Sequence, residues 1–116
     1  MHIDVPTQAT DRRAAYQIGF QDDGLLLAFT VPTAKVDPFV KGLGPDVELE
    51  KREKPVPHFV PPMTPFSHLG LKEPEELPDV REGQVCTPCR GDLNALEIAI
   101  HRLDDRSSRV YLRGID

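Results

Sequence analysis

The alternation of apolar and polar positions near the start of the chain predicts a β-hairpin. Residues 15–20 place an apolar side chain at every second position, and residues 24–31 are apolar almost throughout. Strict alternation is typical of a strand with one buried face, and Asp23-Gly24 between the two segments is a strong turn signal. We therefore expect two antiparallel strands here, with the second strand covered on both faces.

The same kind of pattern predicts a helix and a short strand after the hairpin. Residues 32–44 carry apolar side chains at helical spacing, begin at a proline that suits a first helical turn, and end in glycines. Residues 46–53 alternate apolar and acidic side chains, which is typical of a strand with one face in water. Residues 1–13 are polar, and we interpret them as a flexible or partner-bound end.

The last part of the chain predicts a second helix and a closing strand. Residues 92–106 place Leu96 and Ile100 one turn apart on an apolar stripe, with Glu97 on the opposite face. Residues 108–115 alternate again and indicate a final strand. The predicted order is β-β-α-β, an extended segment, then α-β. This is an α+β fold with a small mixed or antiparallel sheet.

A long proline-rich stretch interrupts this pattern. Nine of the 12 prolines lie between Pro45 and Pro88, so neither a helix nor a central strand can run far there. Apolar residues between the prolines argue against a disordered linker. We interpret residues 54–91 as an extended arm that connects residues 1–53 to residues 92–116, the two parts of one domain.

The apolar side chains of this arm form the predicted protein-binding site. A structureless loop of this length is rare inside a compact domain, and extended proline-rich backbone loses less entropy when it docks on another protein. We therefore expect residues 54–85 to lie on a neighbouring subunit. The predicted anchors are Phe59, Val60, Met63, Phe66 and Leu69.

Composition and charge narrow the range of partners. The chain is 39% hydrophobic and 28% charged, as in a globular protein, with a net charge of −5 at pH 7. Nucleic-acid binders normally present a basic face. No apolar run reaches the roughly 20 residues of a membrane span, and the N-terminus lacks the apolar stretch of a signal peptide. We expect protein partners rather than nucleic acid or a membrane, and a cytoplasmic location.

The Cys-x-x-Cys motif at Cys86 and Cys89 supports three interpretations. In a reducing cytoplasm the two residues would be free thiols, which behave as small apolar side chains, and not a structural disulfide. As a close pair they could bind zinc, with His58 or His68 as further ligands. The motif also looks like that of thioredoxins, in which a following helix lowers the pKa of the thiol.

The function that these patterns favour is non-enzymatic. The sequence contains no glycine-rich phosphate loop, nucleophile elbow or His-Glu-x-x-His motif. We expect a small subunit of a larger assembly, such as a phage particle or a bacterial complex, that binds its neighbour through the arm and carries no cofactor. One alternative is a zinc-stabilised binding module, and the other is a small thiol oxidoreductase.

Overall fold

The computed structural model describes residues 5–17, 24–45, 48–57, 65–86, 89 and 95–115. Within these ranges, six strands form a single sheet. The strands are β1 Thr10–Gln17, β2 Gly24–Pro32, β3 Glu50–Arg52, β4 Val80–Cys86, β5 Ala95–Arg102 and β6 Ser107–Ile115. The same ranges contain one α-helix, α1 Val36–Leu43, and three short 3₁₀ turns at Thr33–Lys35, Phe66–Leu69 and Pro74–Glu76.

Every pair of neighbouring strands in the sheet is antiparallel. The strand order is β1-β2-β6-β5-β4-β3. Four pairs join strands that follow each other in the chain, whereas β2 pairs with the last strand, β6. The described residues between β2 and β4 add β3 at the far edge of the sheet and supply α1 and residues 65–77, which cover its two faces.

The α+β prediction is wrong, because the predicted C-terminal helix is a strand and the fold is mainly antiparallel sheet. β5 pairs with β4 on one side and with β6 on the other. Leu96, Ile98 and Ile100 are buried on one face of the sheet, whereas Glu97 is exposed. The spacing of Leu96 and Ile100 fits one face of a helix as well as one face of a strand. Pairing with a strand on each side makes this segment a strand. Residues 92–94 of that prediction lie outside the described residues.

The other predicted elements are confirmed, with shifted ends. β1 and β2 form the predicted antiparallel pair, and residues 18–23 lie outside the described ranges. The prediction of a flexible or partner-bound end over residues 1–13 is wrong for residues 10–13, because β1 begins at Thr10 and pairs with β2 from there. α1 falls within the predicted helix at residues 32–44, and β3 falls within the predicted strand at residues 46–53. β6 matches the predicted strand at residues 108–115.

One face of the sheet, which we call the helix face, packs against α1. Phe29 on β2 meets Phe39 on α1 edge to face, with ring centroids 5.3 Å apart. Such pairs add to the stability that comes from burying the two rings. The buried side chains of this core are Ala9, Phe29, Val31, Val36, Phe39, Val85, Leu96, Ile98, Ile100, Val110 and Leu112.

The opposite face, the segment face, is covered by residues 65–77, which we call the covering segment. Its buried side chains are Leu26, Ala28, Phe66, Val80, Ala99 and Tyr111, with Leu69, Leu71 and Leu77 partly buried against them. A sheet with one apolar face left open would need another layer, and this segment supplies it from the same chain. Much of the predicted arm therefore belongs to the fold, including the residues of β4.

Candidate functional site

The structure places two of the five predicted anchors against the sheet of their own chain. Phe66 is 2% exposed, and its ring packs edge to face on Tyr111 at a centroid distance of 5.2 Å. Leu69 is partly buried against the same core. The other three anchors, Phe59, Val60 and Met63, lie outside the described residues, and their role as partner contacts stays a prediction.

A buried ion pair fixes the covering segment to the sheet. Glu73, on the covering segment, is 5% exposed, and Arg113, on β6, is 8% exposed. The Glu73 carboxylate accepts hydrogen bonds from the Arg113 guanidinium and from the backbone N–H of Phe66. The same guanidinium lies 4.8 Å from the centroid of the Phe66 ring. One carboxylate thus joins the start of the covering segment to its own later part and to a central strand.

Two further arginines hold the backbone of the covering segment from its edges. Arg52 on β3 donates to the carbonyl oxygens of Pro74 at 2.8 Å and Leu77 at 2.9 Å, and to Glu82 at 2.8 Å. Arg13 on β1 donates to the carbonyl oxygen of Leu69 at 2.8 Å. A segment with little regular structure of its own satisfies part of its backbone in this way.

An acidic cleft of about 310 Å³ opens between the covering segment and strands β4 to β6. Its charged lining consists of three carboxylates and one guanidinium, from Glu75, Glu82, Glu97 and Arg113. Gln84 and Tyr111 add polar groups, and the remaining lining residues are Phe66, Pro74, Gly83, Ile98 and Ala99. The cleft therefore combines a net negative charge with an apolar wall.

Glu75 is the least satisfied group in this lining. Its Oε2 atom is buried and has no hydrogen-bond partner among the residues that the structure describes. Burial raises the pKa of the Glu75 carboxyl, although its own backbone N–H and Arg113 act in the opposite direction. The neighbouring carboxylates of Glu73 and Glu82 raise that pKa further. A buried oxygen without a donor is uncommon in folded proteins, because it loses its water without a replacement.

The other charges of the cleft have partners. Glu82 accepts from Arg52, as described above. Arg113 pairs with Glu73 and lies 3.8 Å from the carboxylate of Glu97 on β5. The exposed Glu97 and the buried Glu73 therefore both lie beside the guanidinium of Arg113.

The two cysteines form a disulfide, whereas the sequence predicts thiols or metal ligands. Cys86 ends β4, and its Cα lies 5.0 Å from that of Cys89, well within the range that a disulfide spans. Both residues are partly buried against the helix face. The first described element after Cys89 is a strand, so the helix that the thioredoxin interpretation requires is replaced by β5.

The predicted zinc ligands do not converge within the described part of the chain. His68 is exposed on the turn that covers the segment face, and the cysteines pack on the helix face, across the sheet. His58 lies outside the described residues. In the ranges that the structure describes, no cluster of three or more histidine, cysteine or acidic side chains could hold a metal ion.

Two further observations complete the description of the chain. Among the described residues, no helix is long and apolar enough to cross a membrane. No family model, curated protein or solved structure matches the sequence or the fold.

Proposed function

We propose that this protein is a non-enzymatic small subunit that binds another protein through residues 57–64. We call these residues the tethered segment. They carry Phe59, Val60 and Met63, three of the five predicted anchors, among three prolines and one histidine. The proposal narrows the predicted arm to the residues that precede the covering segment.

The attachment of the tethered segment at both ends is the observation that carries this proposal. Before it, the backbone N–H of Val56 donates to the carbonyl oxygen of Glu75 at 2.7 Å. After it, the backbone N–H of Phe66 donates to Glu73. Both ends are therefore fixed at the covering segment, two residues apart in its sequence. A partner that binds between fixed ends orders fewer residues than one that binds a free arm, so the entropic cost of binding is lower.

The two attachments lie beside the acidic cleft. Glu75 and Phe66, the residues next to the two attachments, both line the acidic cleft. Val56 is 36% exposed beside the first attachment. A protein that contacts residues 57–64 and the two attachments would therefore lie at the rim of the cleft. There it would contact apolar side chains and carboxylates at the same time.

A photo-crosslinking residue at position 60, followed by affinity measurements on purified proteins, tests this function. Crosslinking in the native host identifies the partner, and Phe59→Ser with Val60→Ser should then weaken binding to that purified partner about 30-fold. This is the effect of losing a hot spot of about 2 kcal/mol. The melting temperature of the variant should stay near that of the parent.

Leu103→Ser is the matched control. Leu103 is an apolar residue with 40% exposure after β5, at the turn into β6. Its replacement removes similar apolar surface from another part of the molecule and should leave the affinity unchanged. Equal affinities of the tethered-segment variant and the parent for every crosslinked protein, including a second copy of this chain, would contradict the proposal.

A further inference from the structure

A cavity of about 400 Å³ lies on the helix face beside the start of α1, and we call it the basic cavity. The buried side chains of Val36 on α1 and Ile100 on β5 form its apolar part. Its volume lies within the range of small-molecule pockets, which combine apolar walls with a few polar groups that orient the ligand. The chemistry of those polar groups determines the class of ligand.

The strand register brings three cationic side chains to the basic cavity. Lys51 on β3 lies directly opposite Arg81 on β4, and Arg102 lies two residues after the partner of Arg81 on β5. Positions that are opposite each other or two apart share one face of a sheet, and all three side chains line the cavity. Like charges in directly opposite positions destabilise a sheet. The pairing of Lys51 with Arg81 therefore works against the fold, and an anion bound beside them would offset this cost.

A buried pair of hydroxyl groups supplies a neutral donor to the same cavity. Ser108 on β6 lies opposite Arg102 and is 2% exposed, and its Oγ lies 2.9 Å from Oγ1 of Thr33. Each hydroxyl has one hydrogen, and their mutual hydrogen bond uses only one of the two. The second hydrogen is left for another acceptor. Because both residues line the cavity, an acceptor inside it can receive this hydrogen.

Two carboxylates also line the basic cavity, and both residues are exposed. Asp37 accepts from Arg81 at 2.9 Å, but its side chain is 81% exposed, and such surface pairs contribute little to stability. A bound anion can therefore displace Asp37 from Arg81. Asp79 lies directly before β4. The lining thus carries three positive and two negative charges, whereas carboxylates predominate in the acidic cleft.

We infer that the basic cavity binds the oxyanion group of a small molecule, either a phosphate monoester or a carboxylate. Lys51, Arg81 and Arg102 supply the positive charge, and the hydroxyl pair donates one further hydrogen bond. Val36 and Ile100 contact the carbon part of the ligand. Hydrogen bonds from ionised donors to an oxyanion are roughly twice as strong as those between neutral groups. The basic cavity and the covering segment lie on opposite faces of the sheet, so this site does not depend on the proposed function.

Titration of the isotope-labelled protein with phenyl phosphate and with benzoate, followed by NMR at constant ionic strength, tests the site. We expect saturable shifts of the amides of Arg81, Ile100 and Ser108 with at least one of the two anions, with a Kd on the order of millimolar. The anion that binds more tightly identifies the class of ligand. Phenol, which keeps the ring without the oxyanion, should give no saturable shift. Absence of saturation with both anions, or equal shifts with phenol, would overturn the inference.

Lys51→Gln and Lys54→Gln form a matched pair of variants. Both remove one positive charge near β3, but Lys54 does not line the cavity. Lys51→Gln should weaken anion binding about tenfold, the typical effect of one charged hydrogen bond. It should not lower the melting temperature, because it removes the like charge beside Arg81. Lys54→Gln should leave the Kd unchanged. Equal weakening by both variants would mean that only the general charge of the surface matters, which overturns the site.

The double variant Thr33→Val with Ser108→Ala tests the hydroxyl pair. One hydroxyl alone still has a hydrogen to donate, so either single variant should bind the anion within about twofold of the parent. The double variant has lost this donor, and its affinity should fall about tenfold, as expected for a hydrogen bond to a charged group. The melting temperatures of the three variants show that they fold. A double variant that binds with the affinity of the parent would overturn the site, because the hydroxyl pair would then not face the ligand.

Discussion

Replacement of Phe66 with alanine should destabilise the protein by about 3–5 kcal/mol, the usual cost of removing a buried phenylalanine ring. Phe66 is almost fully buried, and its ring contacts both Tyr111 and the guanidinium of Arg113. Without this ring, the covering segment loses its deepest contact with the segment face. Because a domain of this size has a stability of only about 5–15 kcal/mol, urea unfolding should show a large decrease in the midpoint.

The neighbouring His68 provides the control for this measurement. It is exposed in the same 3₁₀ turn, so His68→Ala should change the free energy of unfolding by no more than about 0.5 kcal/mol. If the two alanine variants have equal effects, Phe66 does not belong to the core of its own chain. It would then be available to a neighbouring subunit, as the sequence pattern alone predicts.

Replacement of Glu73 with alanine should have a similarly large effect, about 3–5 kcal/mol, for an electrostatic reason. The variant removes the buried carboxylate that pairs with the guanidinium of Arg113, and it removes the acceptor of the Phe66 backbone N–H. Thermal and urea unfolding measure the loss. Glu76→Ala, which removes an exposed carboxylate from the same segment, should have little effect.

A double variant distinguishes the ion pair from the packing around it. In Glu73→Leu with Arg113→Met, both buried charges are replaced by apolar groups, and most of the lost stability should return. Glu73 and Phe66 both hold the covering segment on the sheet. The losses of unfolding free energy in their two alanine variants should therefore not be additive in the double variant. Full additivity would indicate that the carboxylate and the ring stabilise separate parts of the fold.

The local parts of the fold could be predicted from the sequence. β2, α1 and β6 follow from apolar patterns over eight or nine residues each, whereas only the last three residues of β1 fall within the predicted first strand. β5 could not be assigned, because Leu96 and Ile100 lie on one face of a helix and also on one face of a strand. The burial of Leu96 and Ile100 was predicted correctly. The choice between helix and strand depends on pairing with neighbouring strands, and the pattern of residues 95–102 carries no information about those strands.

The covering segment shows a different limit of sequence analysis. Prolines with apolar residues between them indicate an extended chain that buries side chains, but they do not identify the surface that receives them. Here the surface for Phe66 and Leu69 is the second face of the same sheet. Glu73 lies in a run of acidic residues, the kind of run that is usually solvated, yet its carboxylate is buried against an arginine 40 residues later. A charge pattern gives no signal of such a distant partner.

The disulfide and the acidic cleft were also not predicted, for related reasons. The expectation of free thiols at Cys86 and Cys89 came from the inferred compartment, and the redox interpretation depended on a helix that is in fact β5. The cleft requires Glu75, Glu82 and Glu97 to meet from three separate elements. Only the strand order, with β4 and β5 beside each other and the covering segment above them, brings these carboxylates together.

Hydrogen exchange of the isolated, monomeric chain tests most directly whether the covering segment folds on its own sheet. The backbone N–H groups of Phe66, Leu71 and Leu77 all donate hydrogen bonds within this segment. We predict that these three amides are protected against exchange in the absence of any partner, and that Phe66→Ala removes their protection before that of β5 and β6. Exchange of the three amides at the rate of an unfolded peptide, while β5 and β6 remain protected, would contradict the account. It would mean that the segment orders only when another protein binds it.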